Sequence, residues 1–310
     1  MKQRIALIGP GRVGCAVSKH LHEAGYQLTA IIGRNRERAI EACTYIGCST
    51  ALGSDKLADS AAAQILLLAV PDDQIQNLAL QIQATTEFAN PITMIHFSGL
   101  HPAEIMRHDS SSTSLLSLHP LLPFASRQRA FLDLRQCPCA LESDTPQTLA
   151  LGQELVNAIG GHSFTLESEK KPLYHTAACV ASNYLVTLLA SARDLLVNCG
   201  IEPGQAIPLL MPLVQASLDN VKNLNPEQGL TGPIVRGDIG TVTEHIQALE
   251  NAAPELLQLY LQMGKLTVLI SNKSGRLDAE KGHAIDHLFS AKTKELTAIH
   301  DTTCLSEKNN

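Results

Sequence analysis

The stretch Ile5-Ala-Leu-Ile-Gly9-Pro-Gly11-Arg-Val-Gly14 decides the fold of this chain. A short apolar run, typical of a buried strand, passes directly into a G-x-G-x-x-G spacing and then into a segment with helical periodicity. The first glycine permits a tight turn, the second lets the backbone approach a pyrophosphate, and the third lets the helix pack on the strand. Amide groups at the helix N-terminus then bind the phosphates. The residues predicted to form this dinucleotide site are Gly9, Pro10, Gly11, Arg12, Val13 and Gly14.

The residues after the second predicted strand indicate which dinucleotide binds. An Asp or Glu about 20 residues beyond the glycine motif would bind the ribose hydroxyls of NAD, but the chain has Gly33-Arg34-Asn35-Arg36 there. Two guanidinium groups can form charge-assisted, bidentate bonds to a 2′-phosphate. The sequence therefore predicts NADP(H), bound by Arg34, Asn35 and Arg36. Two alternatives stay open: the arginines are solvated residues at a helix start, or Asn35 and the preceding turn bind NAD.

The first half of the chain alternates short apolar runs with helical segments, which is the pattern of a parallel sheet flanked by helices. Several runs are continuous Ile, Leu and Val, as expected for strands covered on both faces. The predicted strands are 5–8, 28–32, 65–70, 93–97, 114–118, 139–142 and 163–166, and the predicted helices are 12–24, 36–46 and 146–159. The fold class is therefore α/β, a Rossmann-type doubly wound parallel sheet.

The second half carries only helical signals, so an all-α domain is predicted to follow the sheet. Its predicted helices are 173–198, 203–223, 241–252, 254–269 and 279–296. The segment 173–197 is apolar nearly all round, which predicts burial in the core of that half or in a subunit interface. We expect an NADP-binding domain over residues 1–168, a helical substrate and dimerisation domain over 169–300, and a flexible tail over 301–310.

Composition and charge exclude several classes of protein. The 310 residues are 45% hydrophobic and 17% charged, and 24 Lys and Arg against 30 Asp and Glu give a net charge of −6 without any block of like charge. This balance argues against nucleic-acid and membrane-surface partners. The initial apolar run is too short for a signal peptide, and eight scattered cysteines favour reduced thiols, so a cytoplasmic location is expected. Cys137-Pro-Cys139 has the wrong spacing for a zinc site or a C-x-x-C redox site, so no metal is expected.

Polar residues follow three predicted strands, where ligands of open parallel sheets bind. The segments are Ala69-Val70-Pro71-Asp72, His96-Phe97-Ser98-Gly99 and Ser117-Leu118-His119-Pro120. We expect all three to border one crevice, with Val70 and Pro71 against the cofactor and with Ser98 and His119 as catalytic candidates. The alternatives are a turn or capping serine and a turn histidine that precedes proline.

The start of the apolar helix carries a second set of polar residues, in Tyr174-His175-Thr-Ala-Ala-Cys179-Val-Ala-Ser182-Asn183-Tyr184. Helical spacing places His175, Cys179, Ser182 and Asn183 along one face. Unpaired buried polar groups cost about 1 to 3 kcal/mol each, so a cleft filled by substrate and nicotinamide would give them partners. His175 is predicted to exchange the proton, with Ser182 and Asn183 orienting the reacting atom. The alternative is an interior histidine and asparagine that bond to the backbone.

A loop in the helical half, Leu230-Thr231-Gly-Pro-Ile-Val-Arg236-Gly-Asp238, offers a site for an acidic substrate. Arg236 is predicted to bind a substrate carboxylate, with Thr231 beside it. A surface turn in which Arg236 and Asp238 pair with each other is the alternative.

Taken together, these motifs resemble those of a family of predicted NADP-dependent oxidoreductases with a Rossmann-like first half and a helical second half of unknown function. The motifs are the glycine loop, the segments ending in Gly99 and Pro120, the segment from Tyr174 to Tyr184, and the Arg236 loop. More distantly, the chain is similar to ketopantoate reductase, pyrroline-5-carboxylate reductase and 3-hydroxyisobutyrate dehydrogenase. These relatives imply a homodimer whose helical halves interlock and complete the active-site cleft.

Many of those relatives use a lysine, with an asparagine one turn later, at the head of the long helix. In this chain His175 stands near that place, Cys179 is one turn on and Asn183 two turns on, which makes His175 a substitute in a different acid–base mechanism. The segment Ser117-Leu-His119-Pro120 is also similar to the His-Pro segment of prephenate dehydrogenases, although the glycine that follows it there is missing.

The expected function is hydride transfer between NADP(H) and a small carboxylate-bearing carbonyl, imine or hydroxyl substrate. His175 exchanges the proton in this prediction, and His119 competes for that role. The alternatives are a prephenate-dehydrogenase-like enzyme and a dimeric NADP(H)-binding sensor or scaffold that catalyses no reaction.

Overall fold

The computed structural model describes residues 2–48, 51–108 and 113–307. The chain divides into two compact units, Met1–Tyr184 and Leu185–Asn310. The division falls within the first predicted helix of the all-α half, 173–198, so the beginning of that segment belongs to the unit that contains the sheet. The domain boundaries drawn from the sequence stay a prediction.

The first unit is built on an eight-stranded sheet in the order β3-β2-β1-β4-β5-β6-β7-β8. Its strands are β1 Arg4–Ile8, β2 Gln27–Ile32, β3 Leu52–Ser54, β4 Ile65–Leu68, β5 Thr93–His96, β6 Ser114–Pro120, β7 Pro138–Glu142 and β8 His162–Thr165. Its helices are α1 Arg12–Glu23, α2 Arg36–Ile46, α3 Ile75–Thr85, α4 Arg127–Asp133, α5 Pro146–Ala158 and α6 Lys171–Ala181.

The two faces of the sheet bury separate apolar clusters, which explains the continuous apolar strands. In β1, Ile5 and Leu7 pack into one cluster and Ala6 and Ile8 into the other. A strand that is covered on both sides has no polar face. The predicted Rossmann-type architecture is therefore confirmed.

The first unit differs from the prediction in the direction of one strand and in three additional elements. β7 runs antiparallel to β6, whereas the other neighbouring strands are parallel. The amide of Leu121 donates to the carbonyl of Pro138 over 2.8 Å, so β7 begins beside the point where β6 ends and must run back along it. The elements β3, α3 and α4 were not predicted, because each is short or lacks a strong periodic pattern.

Through residue 307, the second unit has helices and no strands, as predicted. They are α7 Asn183–Asn198, which begins two residues before the division between the units, α8 Pro203–Leu224, α9 Pro226–Gly229, α10 Ile239–Ala252, α11 Pro254–Lys273 and α12 Ala279–Glu307. Helices α10, α11 and α12 share an apolar core around Val242, Leu261 and Phe289. The helix α12 extends through Glu307, in agreement with the absence of Gly and Pro after Gly282, and the flexible tail over 301–310 stays a prediction. Residues 308–310 lie outside the described residues.

The long apolar segment is two helices, because a turn at Ser182 separates α6 from α7. It is not buried in a core of this chain: Leu173 is 75% exposed and Val186 is 65% exposed. By length and composition alone, Ser168–Asn198 is the single candidate membrane span among the described residues, with a mean hydropathy of 1.2 over an 18-residue window in which no residue is buried. This is weak evidence for a membrane protein, since an interface helix of a soluble protein passes the same test.

Candidate active site

The glycine loop has the geometry that its sequence predicts. Gly9 has a φ of +89°, and a methyl group on it would lie 2.4 Å from the carbonyl oxygen of Ala69. A methyl group on Gly14 would lie 2.8 Å from the carbonyl oxygen of Gly9, so both positions require glycine. Beside Gly11, by contrast, no atom lies within 4 Å of the place of a side chain. The loop is therefore closed by packing at two glycines and open to a ligand at the middle one.

A cleft of about 700 Å³ lies over this loop, at the carboxyl ends of β1, β2 and β4. It fits an extended dinucleotide, because it combines the open backbone at Gly11 with guanidinium groups at one end. The predicted cofactor residues that line it are Gly9, Pro10, Gly11, Arg34, Asn35, Val70 and Pro71.

The remaining predicted cofactor residues are not part of the lining, namely Arg12, Val13, Gly14 and Arg36. Arg36 is exposed as the first residue of α2, and Arg38 lines the cleft instead. Arg12 donates to the carbonyl oxygen of Phe124 over 3.1 Å. The geometry of α2 explains why Arg38 and not Arg36 lines the cleft, since only one side of the first turn of this helix faces the cleft.

Two arginines that line the cleft were missed by the sequence analysis. Arg38 follows the helix cap Asn35, whose Oδ1 accepts from the amides of Glu37 and Arg38. Arg127 comes from a distant segment, and its Nη2 donates to the carbonyl oxygen of Pro10 over 2.9 Å. The cap signal of Asn35 marks the helix start and so could have identified Arg38, whereas Arg127 has no local signal.

The three polar segments at the carboxyl ends of β4, β5 and β6 meet, as predicted. Oγ of Ser98 donates to Oδ2 of Asp72 over 2.7 Å. The same Oγ accepts from the amides of Leu100 and His101, each at 3.1 Å. Ser98 is therefore both a turn residue and the link between the segments after β4 and β5.

A lysine that the sequence analysis missed lies beneath this turn. Lys171 is 1% exposed, and its Nζ donates to Oγ of Ser117 over 2.8 Å and to the carbonyl oxygen of Ser98 over 3.2 Å. Burial lowers the pKa of Lys171 from 10.5 to about 8, and the charges of Glu142 and Asp72 oppose that shift. The ammonium form still predominates at neutral pH.

Lys171 is the first residue of α6, one helical turn before His175. The expectation of a helix from 173 left it outside the helix, although Pro172 is favoured in the first turn of a helix. The pair Lys171 and His175 thus has the spacing that the resemblance gives to lysine and asparagine. This corrects the expectation that the chain lacks a lysine at the head of the helix.

Three side chains gather above Lys171, around Gly99. A methyl group on Gly99 would lie 2.7 Å from Nδ1 of His175 and 2.9 Å from Nε2 of His119. Nδ1 of His119 and the hydroxyl of Tyr174 are 2.7 Å apart. Nδ1 of His175 is buried against Gly99 and has no hydrogen-bond partner within the described part of the chain. His119 and His175 therefore converge on one point at the end of β5.

The surroundings of His119 define its protonation. Burial, with the nearby charge of Lys171, lowers the pKa of His119 to about 4, so the imidazole is neutral at neutral pH. Burial raises the pKa of Tyr174 to about 12, so the phenol keeps its proton. If that proton is donated to Nδ1 of His119, Nε2 carries the imidazole proton and presents an N–H donor beside Gly99.

The other predicted residues of α6 continue along the helix. Sγ of Cys179 is 3.9 Å from Nε2 of His175, in agreement with the predicted shared face. Ser182 is half-buried at the turn between α6 and α7, and Asn183 is exposed at the start of α7.

The predicted substrate residues lie in the second unit. Arg236 and Thr231 are exposed. Asp238 does not form an ion pair with Arg236; its carboxylate caps α10 by accepting from the amide and hydroxyl of Thr241. The charge of Arg236 still contributes to the lowered pKa of Asp238, after the hydrogen bonds from Thr241, but the guanidinium is not bound directly by that carboxylate.

Two protein-family models match the sequence of this chain. A Rossmann-like domain matches residues 1–120, and a domain of unknown function, DUF2520, matches residues 137–267. The chain therefore combines a Rossmann-like domain with a DUF2520 domain. No curated protein matches it.

Solved structures share the fold over most of their length. A protein from Bacteroides fragilis assigned as an NADP oxidoreductase is 22% identical, with a TM-score of 0.71 over 87% of this chain and 98% of that one. A protein from Thermotoga maritima is 24% identical, with a TM-score of 0.68 and the same coverage. The 1-pyrroline-5-carboxylate reductase of Streptococcus pyogenes is 16% identical, with a TM-score of 0.57 over 92% of this chain and 99% of that one.

Proposed function

We propose that this protein is an NADP(H)-dependent oxidoreductase that transfers a hydride between the nicotinamide ring and a small carbonyl, imine or hydroxyl substrate. The observation that carries the proposal is the junction at Asp72. Val70 and Pro71 line the glycine-loop cleft, and the next residue, Asp72, accepts a hydrogen bond from Ser98. Ser98 belongs to the polar cluster, which also contains His119, Lys171, Tyr174 and His175. A ring bound at this end of the cleft lies close to polar side chains that can assist the reaction.

The cleft fits NADP(H) better than NAD(H). Gly11 leaves room for the diphosphate, and Arg34 with Arg38 gives two exposed guanidinium groups for the 2′-phosphate. The assignment of the similar Bacteroides fragilis protein as an NADP oxidoreductase supports this choice. When bound, the cofactor supplies or accepts the hydride.

The neutral imidazole of His119 is the best-supported donor to the reacting atom. Tyr174 holds its Nδ1, so its Nε2–H stabilises the negative charge that develops on a carbonyl oxygen or imine nitrogen during reduction. The nearby ammonium of Lys171 adds a positive electrostatic potential that also favours this negative charge. His175, the first candidate from the sequence, is second because its Nδ1 is fully buried and has no hydrogen-bond partner in the described part of the chain. Ser182 and Asn183 stay predicted orienting residues.

The exposed guanidinium of Arg236 stays the predicted binding group for a substrate carboxylate, with Thr231 in the same loop. The pyrroline-5-carboxylate reductase among the similar structures acts on a substrate of that class. A cyclic imino acid or a keto acid is therefore the first compound to test.

We also propose a homodimer formed through the helical elements. In α7 no described side chain is buried, and in α8 only Ala206 is. Contiguous apolar surfaces of this kind on a soluble chain mark association sites. Apolar residues that would become buried include Leu173, Val186, Leu209, Leu213, Leu266 and Leu269.

A cytoplasmic location completes the proposal. The seven cysteines of the described part of the chain are all unpaired. Five of them are buried among apolar side chains, where they act as small hydrophobic residues in a reducing compartment.

Calorimetry with NADPH and NADH, followed by a turnover screen on the NADPH-loaded protein, tests the function. We expect heat with NADPH, weaker binding of NADH, and cofactor oxidation with one member of a panel of keto acids and cyclic imines. The reverse assay with NADP+ and prephenate tests the prephenate-dehydrogenase alternative. Absence of binding by either coenzyme contradicts the proposal, and binding without any turnover favours the sensor or scaffold.

A further inference from the structure

Glu142, at the end of β7, is a buried carboxylate that the proposed chemistry does not use. It is 7% exposed. Its Oε2 accepts from the amide of Ala103 over 2.6 Å, and its Oε1 accepts from the hydroxyl of Ser168 over 2.9 Å. Because a buried charge without a counter-charge is very costly, a carboxylate in this place requires a positive group nearby.

The strand register brings Glu142 next to the site of Lys171. Glu142 lies directly opposite Ser117 in the antiparallel pair of β7 and β6. Directly opposed residues present their side chains on the same face of the sheet. Since Oγ of Ser117 accepts from Nζ of Lys171, the carboxylate and the ammonium lie on the same face of the sheet, beside the same serine.

The hydrogen bond to Ser168 gives Glu142 a second connection to Lys171, because Ser168 lies three residues before Lys171 in the chain. Ser168 is the first residue of the short 3-10 turn Ser168–Lys170, and Lys171 follows that turn as the first residue of α6. The carboxylate therefore fixes the segment that presents the lysine, in addition to facing its charge.

The charged and titratable groups that face Lys171 come from four elements. They are Asp72 after β4, His96 at the end of β5, His119 in β6 and Glu142 in β7. Burial lowers the pKa of His96 to about 3 and that of His119 to about 4, so both imidazoles are neutral at neutral pH. The two carboxylates are thus the counter-charges, and Glu142 has the larger effect and the lower exposure.

We propose that Glu142 is a positioning residue that acts through Lys171: its charge keeps the buried ammonium protonated beneath Ser98 and Ser117, and its bond to Ser168 holds the turn before α6. The part that Lys171 plays in catalysis rests on the proposed function. The electrostatic pairing itself does not, and it can be measured without a substrate.

The test is the titration of the Lys171 side chain in the full chain, followed by NMR of lysine labelled with carbon-13 at Cε. The Lys171 signal is assigned by its absence in Lys171→Met. In Glu142→Gln, the amide oxygen can accept from the amide of Ala103, and the amide NH2 can donate to the hydroxyl of Ser168, which turns to accept, so that both contacts are kept while the charge is lost. We expect the midpoint of the Lys171 titration to fall by about one pH unit or more.

The matched control is Glu104→Gln, which removes an exposed carboxylate from the same region. Glu104 pairs with Arg107 at the surface, and its side chain is 61% exposed. We expect the Lys171 midpoint to stay at its wild-type value in this variant. An unchanged midpoint in a folded Glu142→Gln protein overturns the proposal and leaves Glu142 as a hydrogen-bonding residue only.

A double variant decides the matter if Glu142→Gln alone does not fold. Glu142→Gln with Lys171→Met removes both charges, and cooperative unfolding should then be recovered, because the unpaired ammonium is gone. If the double variant also fails to fold, the lost hydrogen bonds are the cause and the proposal is wrong. Neither the titration nor the unfolding experiment requires turnover. The pairing of Glu142 with Lys171 can therefore be disproved even if NADPH-dependent activity is found, and it can be supported even if no activity is found.

Discussion

The glycine-loop cleft and the polar cluster adjoin in one sheet, but they are built in different ways. The cleft depends on backbone conformation within one short stretch, where Gly9 turns the chain and Gly11 leaves space. The cluster depends on side chains from separate segments, such as Ser98, His119 and Lys171, which meet only after the sheet has formed. A local motif therefore indicates where a cofactor binds, whereas only the folded chain shows which groups assist the reaction.

The two regions also differ in electrostatics. The guanidinium groups of Arg34 and Arg38 are exposed at the cleft, so water screens them until a phosphate binds. In the cluster, Lys171 and His119 are withdrawn from water, and burial is the largest cause of their lowered pKa values. Changes in the cleft should therefore alter ligand binding, and changes in the cluster should alter protonation and turnover.

The largest effect is expected from Gly9→Ala. An alanine at a φ of +89°, with its methyl group 2.4 Å from a carbonyl oxygen, must displace the loop, so we expect a loss of about 2 to 4 kcal/mol in unfolding free energy and no measurable NADPH binding. Thermal unfolding and calorimetry check both effects.

Gly11→Ala is the matched control for this change. Its methyl group meets no atom of the protein within 4 Å, so the midpoint of unfolding without cofactor should equal that of the wild type while NADPH affinity falls. If Gly11→Ala binds NADPH as tightly as the wild type, the diphosphate does not lie over this glycine.

The second prediction concerns pH and the cluster. Because the pKa of Lys171 in the folded chain, about 8, lies below its ordinary value of 10.5, the unfolded chain binds the additional proton between these values. The unfolding free energy should therefore gain up to about 1.4 kcal/mol per pH unit between pH 8 and pH 10.5, relative to Lys171→Met. Urea unfolding of both proteins across this range measures the difference, and parallel curves would show that Lys171 is not desolvated.

The third prediction separates the two histidines. Once a substrate is identified, His119→Ala should lower kcat/KM by about 100-fold, because the donor to the reacting atom is lost. His175→Ala should have a smaller effect, since Nδ1 of His175 is fully buried away from any ligand. NADPH affinity should be unchanged in both variants. A larger loss in His175→Ala would return the role to the residue that the sequence alone favoured.

Much of the fold could be predicted because its signals are local. The strand from Ile5, the helix from Arg36 and the helix from Pro146 follow from apolar runs and start signals. The direction of β7 could not be predicted, since it depends on how a long connection returns to the sheet. The exposure of the segment from 173 to 197 also depends on the surroundings and not on its own composition.

Less of the site could be predicted, for the same physical reason. Ser98 and His119 were found because ligands bind beyond the carboxyl ends of parallel strands. Lys171 and Glu142 were missed, because a lysine and a glutamate in sequence resemble any surface charge until the fold shows them buried on one face. Arg36 was preferred to Arg38 because the chain order gives no information on which side of α2 faces the cleft.

That choice between arginines gives the smallest and most specific prediction. Arg38→Ala should weaken NADPH binding by about tenfold, the loss of about one charge-assisted hydrogen bond, because Arg38 lines the cleft. NADH affinity should stay the same, since NADH has no 2′-phosphate. Arg36→Ala is the control: it removes an exposed guanidinium from the same helical turn and should leave both affinities unchanged. Equal losses in the two variants would mean that α2 contributes only a diffuse positive field, and the proposed contact with the 2′-phosphate would be wrong.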